Sequence, residues 1–150
     1  MNKSVLKKAV MSFSIVAILV LISMILTKNS MDFYKSITKP DLAPPAILFP
    51  IVWTILYSIL GITLTYFYDD KVIRNAIIIN IMINVIWPVL FFRFQLLFIS
   101  IIWLIFIIIS TIKLFLKIEK NNKLFMYLNL PYLIWLFFAL YLNVMIFLLN

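Results

Sequence analysis

Three sets of residues recur at helical spacing and carry side chains that could hold a flat organic ligand. Asn80, Asn84, Trp87 and Phe91 are separated by four, three and four positions, which places them on one face of a helix. Trp135, Phe138, Ala139 and Asn143 share a face in the same way, and Phe49, Trp53, Tyr57 and Gly61 step by four along a slowly drifting stripe. Indole and phenyl walls stack on an aromatic disc, and a few polar groups fix its orientation. Taken singly, each Asn reads as glue between helices and each aromatic as core or interfacial belt. Together, the three faces suit an apolar pocket with a few convergent polar atoms.

Other chemistry is excluded by composition. The chain has no His and no Cys, so the usual zinc site, an imidazole or thiol base and a disulfide framework are all ruled out. Axial haem ligation would fall to Met or Tyr. Asp69, Asp70 and Glu119 stand beside Lys71, Arg74 and Lys120, the pattern of solvated interfacial charge rather than of a paired-carboxylate active site. No ionisable residue is expected deep in an apolar stretch, which argues against a proton relay or an ion pump.

The elements that must position these residues are membrane spans. Of the 150 residues, 66% are hydrophobic, and Ala9 to Thr27 carries no charge. That run meets the requirement of about 20 apolar residues for crossing the hydrocarbon layer. Hydropathy gives spans near 9–27, 46–68, 75–92, 96–116 and 124–149. The expected fold is all-α, an integral membrane bundle of five transmembrane helices forming a single domain over residues 1–150. Lys3, Lys7 and Lys8 precede the first run, but it is too long for a signal-peptide core and no small-residue cleavage site follows, so it reads as a retained span. Pro88 is expected to kink the third span by removing a backbone hydrogen bond.

Between the first two spans, Pro40, Pro44, Pro45 and Pro50 fall close together. Proline fixes φ and lacks an N–H, so this segment is expected to be a stiff, non-helical lid; a simple helix start is the plainer reading. Nine of the basic residues (Lys3, Lys7, Lys8, Lys71, Arg74, Lys113, Lys117, Lys120 and Lys123) fall on the side of the N-terminus, against four (Lys28, Lys35, Lys39 and Arg93) on the other. The positive-inside rule then puts the N-terminus in the cytoplasm and the C-terminus outside. The net charge of +8 is juxtamembrane, so it points to the lipid bilayer and not to nucleic acid. There is no internal repeat of the kind that marks many transporters. No small-xxx-small stripe in the third span marks a dimer interface, so a homodimer is left open.

Three blocks of residues follow one another along the chain. The first block is Phe33-Tyr34, Lys39-Pro40, Pro44-Pro45, Phe49, Trp53-Thr54, Leu56-Tyr57 and Gly61. The second is Asn84, Trp87, Phe91 and Phe92; the third is Pro131-Tyr132-Leu133, Trp135, Phe138-Ala139 and Leu142-Asn143. In this order the blocks resemble the TspO/MBR family of tryptophan-rich sensory and translocator proteins, which implies a tetrapyrrole-binding membrane protein with no required cofactor and with protoporphyrin IX as ligand or substrate. Its pocket would lie under the 28–45 loop and be lined by Tyr34, Pro45, Phe49, Trp53, Asn84, Trp87, Phe91, Trp135, Phe138, Ala139 and Asn143. A bacterial cell membrane is the implied location. Lys35 or Lys39 would pair with the porphyrin carboxylates. Light- and oxygen-dependent porphyrin breakdown, with Trp53 and Trp135 as catalytic residues, is the enzyme alternative. A tetrapyrrole transporter and a purely structural membrane protein are the other two. No basic residue follows Tyr141, so the sterol pattern of mitochondrial members is not expected here.

Overall fold

The computed structural model describes residues 3–28 and 30–150. Five long helices, each long and apolar enough to cross a membrane, make up almost all of it. They are α1 (Lys3–Leu26), α3 (Leu48–Tyr66), α4 (Lys71–Pro88), α5 (Leu97–Asn121) and α6 (Lys123–Leu149), with a short α2 (Met31–Ser36) between the first two. Neighbouring contacts run α1 to α3, α3 to α6, α6 to α5, α5 to α4 and α4 back to α1, closing a ring. The outer surface is a belt of exposed Ile, Leu, Val and Phe, including Ile55, Ile102, Ile105 and Ile134. In lipid such a surface is already solvated. What holds the helices together is close packing and interhelical hydrogen bonding.

Local chemistry sets the helix ends. The Asp70 carboxylate caps α4, accepting from the N–H groups of Val72 (2.9 Å) and Ile73 (3.0 Å). Asn122 ends α5 and caps α6, its side-chain oxygen accepting from the Leu124 N–H at 3.0 Å. Asp69 pairs with Lys8 across the same end of the bundle. Two of the three expected interfacial carboxylates are thus structural.

Gly61 lets α1 and α3 approach closely: a Cβ there would sit 3.1 Å from the Phe13 ring. At the opposite end of α4, Pro88 leads into a π-helical turn, Val89–Arg93, rather than a simple kink. The wider turn closes with Phe94 N–H donating to the Val89 carbonyl at 3.0 Å. It directs the consecutive rings of Phe91 and Phe92 against Trp87, at 5.5 and 6.0 Å. Such turns are frequent at functional sites.

Candidate functional site

The connection between α1 and α3 folds back over the bundle. Its first part is the short helix α2, which the proline reading of this loop did not anticipate. From Ile37 to Ile47 the chain is irregular, and Pro50 enters the first turn of α3, where a missing N–H is harmless. Tyr34 of α2 points into the bundle with only 4% of its surface exposed, its hydroxyl 3.5 Å from the Pro44 carbonyl. Burial pushes its pKa above the ordinary tyrosine value. Lys39 lies over the Tyr34 ring at 5.1 Å and donates to the carbonyls of Tyr34 and Ile37, both at 2.9 Å. At the far end of the chain, Asn150 clamps the loop. It accepts from the Thr38 N–H at 2.9 Å and donates to the Thr38 carbonyl at 3.0 Å.

Beneath this loop lies a continuous aromatic cluster. Tyr34 meets Phe49 at 5.5 Å and Phe92 at 6.0 Å; Phe49 meets Trp135 at 6.0 Å, and Trp135 meets Phe138 at 5.4 Å. These are edge-on or tilted contacts, the arrangement that ring quadrupoles favour. Six of the expected pocket residues line one small cavity here: Tyr34, Phe49, Trp87, Phe91, Ala139 and Asn143. Its free volume is about 10 Å³, at best room for one water. The rings fill the space that a ligand would need.

The remaining expected residues are placed differently. Pro45 is exposed on the loop. Trp135 and Phe138 flank the cluster through the contacts given above. Trp53 instead lines a second cavity of about 410 Å³ between α1, α3 and α4, whose walls include Val20, Pro50, Tyr57 and Pro88. That volume lies within the range of small-molecule sites. Trp53 stacks on Tyr57 at 5.3 Å and meets Tyr132 at 6.4 Å.

Asn84 lies deeper, in a chain of buried hydrogen bonds. Its amide donates to the Tyr132 hydroxyl (2.7 Å), which donates to the Asn80 side-chain oxygen (2.8 Å). The Asn80 amide donates on to Thr111 (3.0 Å) and Ser110 (3.2 Å). Nearer the loop, the Trp87 indole donates to Asn143 (3.0 Å), whose oxygen also lies 2.9 Å from the Ser100 hydroxyl. Asn80 and Asn143 therefore act as interhelical glue. Four buried side-chain atoms have no partner among the described residues: the Ser12 hydroxyl, the side-chain oxygens of Asn84 and Asn129, and the Trp135 indole N–H, of which only the last borders the aromatic cluster. Buried polar atoms are nearly always paired, so each is an opening for a ligand atom or a water.

Sequence reading missed Ser100, Ser110 and Thr111, which link α5 to the asparagines. Their signal was a hydroxyl in an otherwise apolar helix, where a polar group is costly unless it faces a partner.

Comparison with known proteins agrees with this architecture. The sequence profile of the TspO/MBR family matches residues 10–149. The chain is similar to a tryptophan-rich protein TspO of Chlorobaculum tepidum, 33% identical, with all of this chain and 99% of that protein aligned. It is similar to one of Archaeoglobus fulgidus, 33% identical over 79% of this chain and 80% of the relative. An uncharacterized membrane protein, YtaB of Bacillus subtilis, is 25% identical over 75% of this chain and 76% of its own length. With the family profile covering nearly the whole chain and five apolar helices in a ring, the chain belongs to the TspO/MBR family.

Proposed function

We propose that this protein binds a protoporphyrin-type tetrapyrrole within the membrane, in the aromatic cluster beneath the 28–45 loop. The observation that carries this reading is the Trp135 indole N–H, buried without a partner at the edge of a cluster formed by Tyr34, Phe49, Phe92 and Phe138. A metal-free porphyrin supplies an aromatic face for those rings and polar atoms for the indole and for Asn84. A void of about 10 Å³ cannot admit it, so binding requires the loop and α2 to lift. Lys35, paired with Asp32 at 3.0 Å on the surface, is the better carboxylate partner. Lys39 already spends its N–H donors on backbone carbonyls. The charge asymmetry orients the N-terminus to the cytoplasm of a bacterial cell, with the loop outside.

A second reading, photo-oxidative breakdown of the porphyrin by dioxygen, is favoured by the Trp53–Tyr57 stack beside the larger cavity. There dioxygen would oxidise the excited pigment, and an indole would be placed to react with the oxidised product or to return an electron to it. Titration with protoporphyrin IX, followed by tryptophan quenching in darkness and then under illumination, tests both readings. Saturable dark binding supports the binding protein. Bleaching faster than with an unrelated membrane protein, lost in Trp53→Phe or Trp135→Phe variants that still bind, makes it an enzyme. Absence of saturable binding defeats both.

A further inference from the structure

The outer face of α4 and α5 carries a feature unconnected with the aromatic cluster. A groove of about 280 Å³ runs between the two helices, walled by Ala76, Ile79, Phe106, Ile109 and Leu114, with Lys113 and Lys117 at one end. The lysines are four residues apart, so both ammonium groups project from one face of α5. Both are exposed, and neither has an ion-pair or hydrogen-bond partner for its ammonium among the described residues. Lys113 stands eight residues before the end of α5 at Asn121, or about 12 Å at 1.5 Å per residue. Lys113 thus departs from the expectation that the apolar stretches hold no deep ionisable residue, and a cation at that depth is costly unless it reaches the interface and meets an anion there.

The groove supplies one apolar channel leading away from one doubly basic end. We propose that it seats an acidic phospholipid of the surrounding bilayer. The phosphate lies between Lys113 and Lys117, and an acyl chain lies along Ile79, Phe106 and Ile109. Charge complementarity selects the occupant. Lys120 and Lys123 continue the basic end, Glu119 is its one acidic residue within reach along α5, and a zwitterionic headgroup brings no net charge to neutralise the pair. Basic pockets between transmembrane helices are a recurrent means of holding anionic headgroups.

Trp103 is a built-in reporter, since its ring lies 5.7 Å from Phe106 on the groove wall. The protein is reconstituted in phosphatidylcholine vesicles containing dibrominated phosphatidylglycerol or, in parallel, dibrominated phosphatidylcholine, and tryptophan quenching is compared. Trp103→Phe identifies the share of the signal that arises at the groove. The expected preference for the acidic lipid is about thirtyfold if each lysine contributes as near a membrane surface. It falls towards unity in Lys113→Gln/Lys117→Gln and survives in Lys113→Arg/Lys117→Arg. Circular dichroism confirms that the exposed substitutions leave the helices intact. Equal quenching by the two lipids in the wild type, or an unchanged preference in the Gln pair, overturns the proposal. So does loss of the preference in millimolar inorganic phosphate at constant ionic strength, which makes the occupant a free anion.

Discussion

The loop over the aromatic cluster is held by a clamp whose strength sets how readily the site opens. Asn150 makes two hydrogen bonds to the backbone of Thr38, at 2.9 and 3.0 Å. Asn150 is exposed, so water competes and each bond contributes at the lower end of the usual range, about 0.5–1 kcal/mol. Removing both in Asn150→Ala frees the loop by about 1–2 kcal/mol. The population of the open form then rises about five- to thirtyfold. A ligand that binds only the open form has its apparent Kd divided by that factor. Asn150→Ala is therefore expected to bind protoporphyrin IX about five- to thirtyfold more tightly, mainly through faster association. Asn150→Asp keeps the acceptor but loses the donor, so it falls between. Stopped-flow quenching of tryptophan measures both rates, and hydrogen exchange at Thr38 reports the clamp without ligand. Unchanged or weaker binding in Asn150→Ala, with Thr38 exchange accelerated, refutes the idea that the loop gates the site.

Three further outcomes follow from the same geometry. Asn80→Ala removes the acceptor of the Tyr132 hydroxyl and the donor to Thr111 and Ser110, and is expected to cost about 1–2 kcal/mol in detergent unfolding followed by circular dichroism; a loss below about 0.3 kcal/mol means the network is slack. Gly61→Ala gains helix propensity but presses on the Phe13 ring, which is exposed and has room to give, so its net effect stays within about 1 kcal/mol. Gly61→Leu overpacks the α1–α3 contact and costs about 1–3 kcal/mol, and equal stability of the two variants refutes that close approach. For Tyr34, burial raises the folded pKa above the unfolded value of about 10. Its contribution to loop packing is therefore complete below that pH and is lost as pH climbs through the raised value. Tryptophan emission should change in that alkaline window in the wild type and not in Tyr34→Phe; identical profiles contradict it.

The five-helix membrane fold was legible because apolar run length alone decides what crosses lipid. The inward faces of α4 and α6 were legible for a related reason: Asn80, Asn84 and Asn143 are too costly in hydrocarbon to face outward. Spacing could not reveal how the cluster closes. Helical periodicity put Trp53 on a stripe with Phe49, yet Phe49 turns into the ring cluster while Trp53 faces the α1–α3–α4 cavity. That difference depends on which neighbour each ring meets, and α1 carries little pattern to announce itself as a wall. Pro45 carries no side-chain signal for burial either way. Ser100 and Thr111 were hidden because a hydroxyl in a helix can bond its own preceding carbonyls, as both also do here. The π-helical turn after Pro88 was legible only as a break. Its consequence, two adjacent Phe rings against one Trp, needs the backbone itself.

The central claim is that a tetrapyrrole occupies the aromatic cluster rather than the larger α1–α3–α4 cavity. A dark titration of protoporphyrin IX against wild type, Ala139→Phe and Ser58→Trp separates them most directly. Ala139 is buried against the cluster, and Ser58 lines the larger cavity. Saturable binding by wild type and Ser58→Trp, with loss in a folded Ala139→Phe, is the predicted result. Loss in Ser58→Trp while Ala139→Phe still binds, or no saturable binding by the wild type, contradicts it.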